Sequence, residues 1–200
     1  LDLRQDKLDT ISATLGIDAL STSITAAIIG ILIVMLIMLV RYRMCGLVAD
    51  WALCVYIILL FLFIAVVPGI QLTLPGIAGI ILGIGMAVDA NVVIFERVKE
   101  EVRLGRPMIH AVRIGFKNAM SAVLDANVTT IIAAVVLLFY GTGSVQGFAT
   151  TLLLGVITSM ITAIVVTRFL LTRFVRVFHE PRLFVAVKPA ADAAVEGEAK

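Results

Sequence analysis

Histidine and cysteine are scarce in this chain, two of each among 200 residues, and there is a single tryptophan. His110 and His179 stand far apart, as do Cys45 in a basic stretch and Cys54 in an apolar one. No Cys/His spacing that holds a metal exists, and nothing resembles the cysteine framework of a disulfide-built domain. Charge is scarce too: Asp, Glu, Lys and Arg make up 15% of the residues, and the formal net charge is only +2. With no interleaving of basic and aromatic residues, that balance excludes nucleic acid as a partner. Phosphate-binding loops are missing as well. Gly83-Ile84-Gly85 lies inside an apolar run and follows no strand, and Gly141-Thr142-Gly143-Ser144 is an uncharged turn, so no nucleotide or other cofactor is indicated.

What the chain has instead is apolar length. Hydrophobic residues make up 61% of it and the mean hydropathy is +1.11, against an apolar share of roughly 45 to 50% for a soluble domain. Five runs, 24–40, 47–67, 74–95, 120–140 and 148–171, approach or exceed the roughly 17 to 25 residues a spanning helix needs. The fold class that follows is an all-α membrane protein, a polytopic bundle of five transmembrane helices. Segment 96–118 alternates charged residues with Val98, Val102, Ile109, Val112 and Phe116 and is broken at Gly105-Arg106-Pro107. It reads either as two interfacial amphipathic helices or as a solvated helical hairpin.

Basic residues concentrate in alternate connectors. Arg41 and Arg43 follow the first run, Arg97, Lys99, Arg103, Arg106, Arg113 and Lys117 follow the third, and Arg173, Arg176, Arg182 and Lys188 follow the last. Segments 68–73 and 141–147 contain no Lys or Arg. The positive-inside rule then puts the N-terminus of the segment outside and the C-terminus in the cytoplasm. The first residues are polar, with neither a methionine nor a basic start, which suggests that an upstream span and an exported domain carry Leu1 across the membrane. The organisation expected is an extracytoplasmic stub over 1–23, a membrane domain over 24–178, and a disordered cytoplasmic tail over 179–200 marked by Pro181 and Pro189.

Inside the apolar runs, a few polar residues stand out. Asp89 lies seven positions before Glu96, or roughly 10 Å below the end of its helix at 1.5 Å per residue. A charged group at a helix centre costs about 2.5 to 3.5 kcal/mol on insertion scales, so an intramembrane acid is a functional candidate. Asp125 lies near the opposite end of the next, antiparallel run and could share that depth. Both are candidates for a proton relay. Asn91, Asn127, Thr130, Thr158, Thr162 and Arg168 are supporting polar positions; Thr158 and Thr162, one turn apart, suit either helix packing or a wet path. Gly79-x-x-x-Gly83 is a close-packing motif for two helices.

Four segments together carry a family resemblance: Gly85 to Arg97, Leu124-Asp125-Ala126-Asn127-Val128-Thr129-Thr130, Gly141-Thr142-Gly143 through Gly147-Phe148, and Ser159 to Arg168. They resemble the SecD branch of the SecD/SecF protein-export family, within the resistance-nodulation-division superfamily, and the likeness runs from Leu15 to about Phe178. The resemblance implies the second to sixth spans of a six-span half, with the family's membrane acid at Asp89. It implies a non-enzymatic subunit of the bacterial inner (cytoplasmic) membrane, driven by the proton-motive force and assisting protein export. The implied partners are a SecF-like half, the Sec translocon (SecYEG), a preprotein substrate, protons and membrane lipids. A rival within the superfamily is half of a proton-coupled exporter of small hydrophobic or lipid cargo. An intramembrane aspartyl protease built on Asp89 and Asp125 is disfavoured, because Gly-x-Gly-Asp is absent. Met44-Cys45 before Gly46, and Asp50, depart from the family pattern.

Overall fold

The computed structural model describes residues 13–67 and 73–177. Six helices and one π-helical stretch follow in order: α1 (Ala13–Tyr42), α2 (Met44–Val66), α3 (Leu74–Arg103), α4 (Met108–Tyr140), α5 (Ser144–Ile161), the π segment Thr162–Thr167, and α6 (Arg168–Val177). There is no strand among the described residues. Five helical stretches are long and apolar enough to cross a bilayer, the last running through α5, the π segment and most of α6. The connector 68–72 and the tail expected over 179–200 lie outside the described residues.

The helices outlast the apolar runs that announce them. Segment 96–118 forms no separate interfacial helices; its amphipathic arms are the ends of α3 and α4 themselves, separated by the break at 104–107. Gly105, at φ 79°, supplies the reversal. The arms bury their apolar faces on each other, with Val98, Val112 and Phe116 all in the core. At Gly115 a side chain would meet the backbone of Val98 at 2.7 Å, so the hairpin is closely packed. Polar groups tie it further: Asn118 Nδ2 donates to Glu101 Oε1 at 3.1 Å, and Arg106 Nε pairs with Glu101 Oε2 at 3.1 Å. An arm that can satisfy its apolar face on its neighbour has no need of the lipid surface.

Helix α3 is the centre of the bundle and packs on α5, α4, α2 and α1. Half of its most apolar window is buried, against 6% for α1. Ile24, Ile28, Leu32 and Leu36 of α1 are all exposed, as suits a helix whose solvent is hydrocarbon. The start of α3 is fixed by Thr73, whose Oγ1 accepts from Gly76 N at 3.1 Å, with proline in the first turn.

The α3–α5 crossing uses small residues. Gly83 lies against Gly155, so close that a Cβ on Gly83 would sit 3.5 Å from the Gly155 Cα. A side chain on Gly79 would collide with Thr151 Oγ1 and approach Phe148 O to 3.1 Å. Thr151 Oγ1 in turn donates to Gly76 O of the facing helix at 2.9 Å. Onto the Gly83–Gly155 contact α2 lowers Tyr56, which is fully buried and whose hydroxyl has no hydrogen-bond partner among the described residues. A Cβ on Gly83 would stand 2.7 Å from that hydroxyl.

Gly83→Ala is therefore expected to destabilise the bundle by about 1 to 3 kcal/mol, measured as thermal unfolding in detergent. Tyr56→Phe removes an unsatisfied buried hydroxyl and should be neutral or stabilising. In the Tyr56→Phe background the cost of Gly83→Ala should shrink; equal costs in both backgrounds refute the clash.

Candidate functional site

The candidate site is a groove of about 130 Å³ on the outer surface of the α3/α4 pair. Asp89, Ala90 and Val93 line it from α3, and Ala126, Asn127 and Thr130 from α4. The room comes from small side chains: alanines at 90, 122 and 126 leave the two helix surfaces low where larger residues would close them over. Asp89 is exposed, and among the described residues its carboxylate makes neither a hydrogen bond nor an ion pair. An acid well inside a spanning helix thus faces outward from the bundle, at a depth where lipid offers it nothing.

The neighbouring polar groups are arranged around it without touching it. Asn127 Nδ2 donates to Val123 O at 2.7 Å, which leaves its amide oxygen as an acceptor at the groove. Thr130 Oγ1 donates to Ala126 O at 3.1 Å. Such bonds back into the same helix satisfy the hydroxyl proton and present lone pairs outward.

Asp125 is exposed but is absent from the groove. It precedes Asn127 by two residues, a rotation of about 200° around the helix axis, so it looks away from Asp89. The same rotation separates Asn91 from Asp89 on α3, with the opposite outcome. Asn91 is buried, and its Oδ1 accepts from Thr167 Oγ1 at 2.8 Å. Thr167 closes the π segment, and both residues are almost fully inaccessible. One turn of α3 thus carries an outward acid and an inward amide bolted to the last span.

Thr158 and Thr162 are buried and bond to their own helix, at Leu154 O (2.7 Å) and Thr158 O (2.9 Å). Their hydroxyls are satisfied within the packed interior. Gly79 and Gly83 lie at the α3–α5 crossing. Arg168 is exposed at the basic end of the bundle and belongs to a different groove, shared with Arg113. No group of three or more His, Cys, Asp or Glu able to hold a metal occurs among the described residues.

Four features have no sequence signature strong enough to find them. The Tyr56 hydroxyl over the glycine pair depends on how α2 crosses α3 and α5. The Thr167–Asn91 bond joins residues 76 apart, and the π segment is a register change within an unbroken apolar run. The polar knot at the basic end was also hidden: Tyr42 Oη donates to Glu96 Oε1 at 2.9 Å, and Lys99 Nζ lies 3.4 Å from the same oxygen.

Comparison with known proteins gives the bundle its place. The profile described as protein export membrane protein SecD/SecF, C-terminal, matches residues 2–177. The chain belongs to the SecD/SecF family. The protein translocase subunit SecD of Acidaminococcus fermentans is 54% identical over 164 residues, which is 81% of this chain and 39% of the relative. That of Petrotoga mobilis is 49% identical over 171 residues, 86% of this chain and 36% of the relative. The chain thus spans less than two-fifths of these curated relatives. Among solved structures, a Thermus SecDF described as a translocon-associated membrane protein superposes with a TM-score of 0.81 at 39% identity, over 84% of this chain and 23% of that one. The helical membrane fold and the family expected from the motifs both stand.

A double-mutant cycle tests the α3 bolt. Thr167→Val should cost stability and Thr167→Ser should retain it, with a coupling to Asn91→Ala of about 0.6 to 1.7 kcal/mol, the range for hydrogen bonds between membrane helices. Purely additive single costs refute the bond.

Proposed function

We propose that this chain is the membrane domain of a SecD-type protein translocase subunit, and that it uses the proton-motive force through Asp89 to assist protein export. The observation that carries the proposal is an unpaired carboxylate at intramembrane depth, turned outward onto a groove lined with alanines. A carboxylate in that position needs a protein surface over it, because lipid cannot solvate its charge. A SecF-like half supplies such a surface, and the paired name SecDF of the structural relative supports that choice of partner. The Sec translocon and an emerging preprotein are then the outer partners of the assembly.

Proton uptake and release suit the site chemically. The neutral acid is a hydrogen-bond donor, whereas the carboxylate only accepts, so each state favours a different arrangement of whatever lies across the groove. A membrane potential contributes about 2.3 kcal/mol per charge per 100 mV, enough to bias a two-state element by more than tenfold. The positive-inside rule orients the basic end, with Arg97, Lys99 and Arg106, toward the cytoplasm of a bacterial inner membrane. We read the chain as non-enzymatic: an aspartyl dyad needs two carboxylates at one site, and Asp125 faces away from the Asp89 groove.

The test uses the complete subunit with its partner half, reconstituted with the translocon. Asp89→Asn should reduce potential-driven export to the level seen without the subunit, while Asp125→Asn leaves most of the stimulation. Ala126→Cys should still cross-link to the partner half in the Asp89→Asn background. Undiminished export by Asp89→Asn removes the acid from the mechanism, and failure of Ala126→Cys to cross-link removes the partner from the groove.

A further inference from the structure

We propose that the basic end of the bundle holds a binding site for the phosphate of an anionic phospholipid, formed by Arg113 of α4 and Arg168 of α6 over an apolar floor. The two arginines line one groove of about 190 Å³, whose base is made of Val112, Phe116 and Val175. All three base residues are buried, while Arg113 and Arg168 are exposed. Neither arginine forms an ion pair among the described residues. Three neighbouring cations are instead matched: Arg97 with Glu100, Lys99 with Glu96, and Arg106 with Glu101. Two like charges converging on one groove repel each other unless an anion sits between them.

Depth identifies the anion as a lipid headgroup. The far end of α4 is marked by Phe139 and Tyr140, both strongly exposed, as in an interfacial aromatic belt. From Tyr140 to Arg113 the helix rises about 40 Å, against roughly 30 Å of hydrocarbon. From Ser144 to Arg168 the rise is about 36 Å. Both arginines therefore stand just beyond the hydrocarbon, in the opposite headgroup layer. A guanidinium binds phosphate bidentately.

The ligand chemistry is that of a phosphate ester, which a free phosphate shares, so the test separates the two. Native mass spectrometry of the full-length subunit in detergent is titrated with phosphatidylglycerol, phosphatidylcholine and inorganic phosphate. Phosphatidylglycerol should be retained in preference to phosphatidylcholine. Arg113→Gln or Arg168→Gln alone should weaken it about fivefold, and the pair about 20- to 30-fold, following the usual contribution of one basic residue at an anionic surface. Arg97→Gln, whose partner is Glu100, should leave retention unchanged. Unaltered retention in the double variant, or equal retention of the two lipids, overturns the site. Displacement of phosphatidylglycerol by inorganic phosphate at equal concentration overturns its assignment to lipid.

Discussion

Two glycines, Gly83 and Gly155, set the distance between α3 and α5, and the position of nearly everything else follows from that contact. Within a bilayer no hydrophobic force draws helices together, so close approach of backbones and the dispersion contacts it allows must do so. The close approach lets Thr151 reach the carbonyl of Gly76 and lets Tyr56 close over the crossing from α2. Helix α4 packs on both α3 and α5, and beside Asp89 it meets α3 with small residues. The Asp89 groove is the consequence: one face of α3 is packed as tightly as backbones allow, and the other is left low and open.

Much of this was legible in the residues. Five apolar runs gave five spans because a bilayer leaves a chain no other way to satisfy its backbone, and Gly105-Arg106-Pro107 marked the break between α3 and α4. The depth of Asp89 followed from counting residues to Glu96. Direction around the helix axis was harder. Asp89 and Asp125 share a neighbourhood in sequence logic, yet a rotation of about 200° per two residues sends Asp125 away while bringing Asn127 in. Hydropathy cannot resolve that angle, because both faces of α4 are apolar. At the ends of α3 and α4 the residues leave two readings open, interfacial helices or a helical hairpin, and the hairpin is what forms. An amphipathic stripe says that an apolar face is covered, and it does not say whether lipid or a neighbouring arm covers it.

The π segment shows the same limit at finer scale. Thr162–Thr167 lies in an apolar stretch that reads as ordinary helix. Inserting a residue into the turn swings every later side chain by about 100° relative to an uninterrupted helix. Thr167 is thereby aimed at Asn91, and Arg168, the next residue, comes out at the surface beside Arg113.

The division of labour along α3 has a physical logic. Its inward contacts near the acid are neutral: an amide oxygen receives a hydroxyl proton, and glycines meet glycine and threonine. None of these changes with pH or membrane potential. The ionisable group is placed two residues away on the opposite face, outside the packed interior. A charge buried in the α3–α5 seam would couple every protonation event to the stability of the bundle, at several kcal/mol for an unpaired ion. Turned onto the groove, the same charge acts on whatever is docked there and leaves the seam undisturbed. The bundle can remain folded in both protonation states because the carboxylate is kept out of the contacts that hold it together.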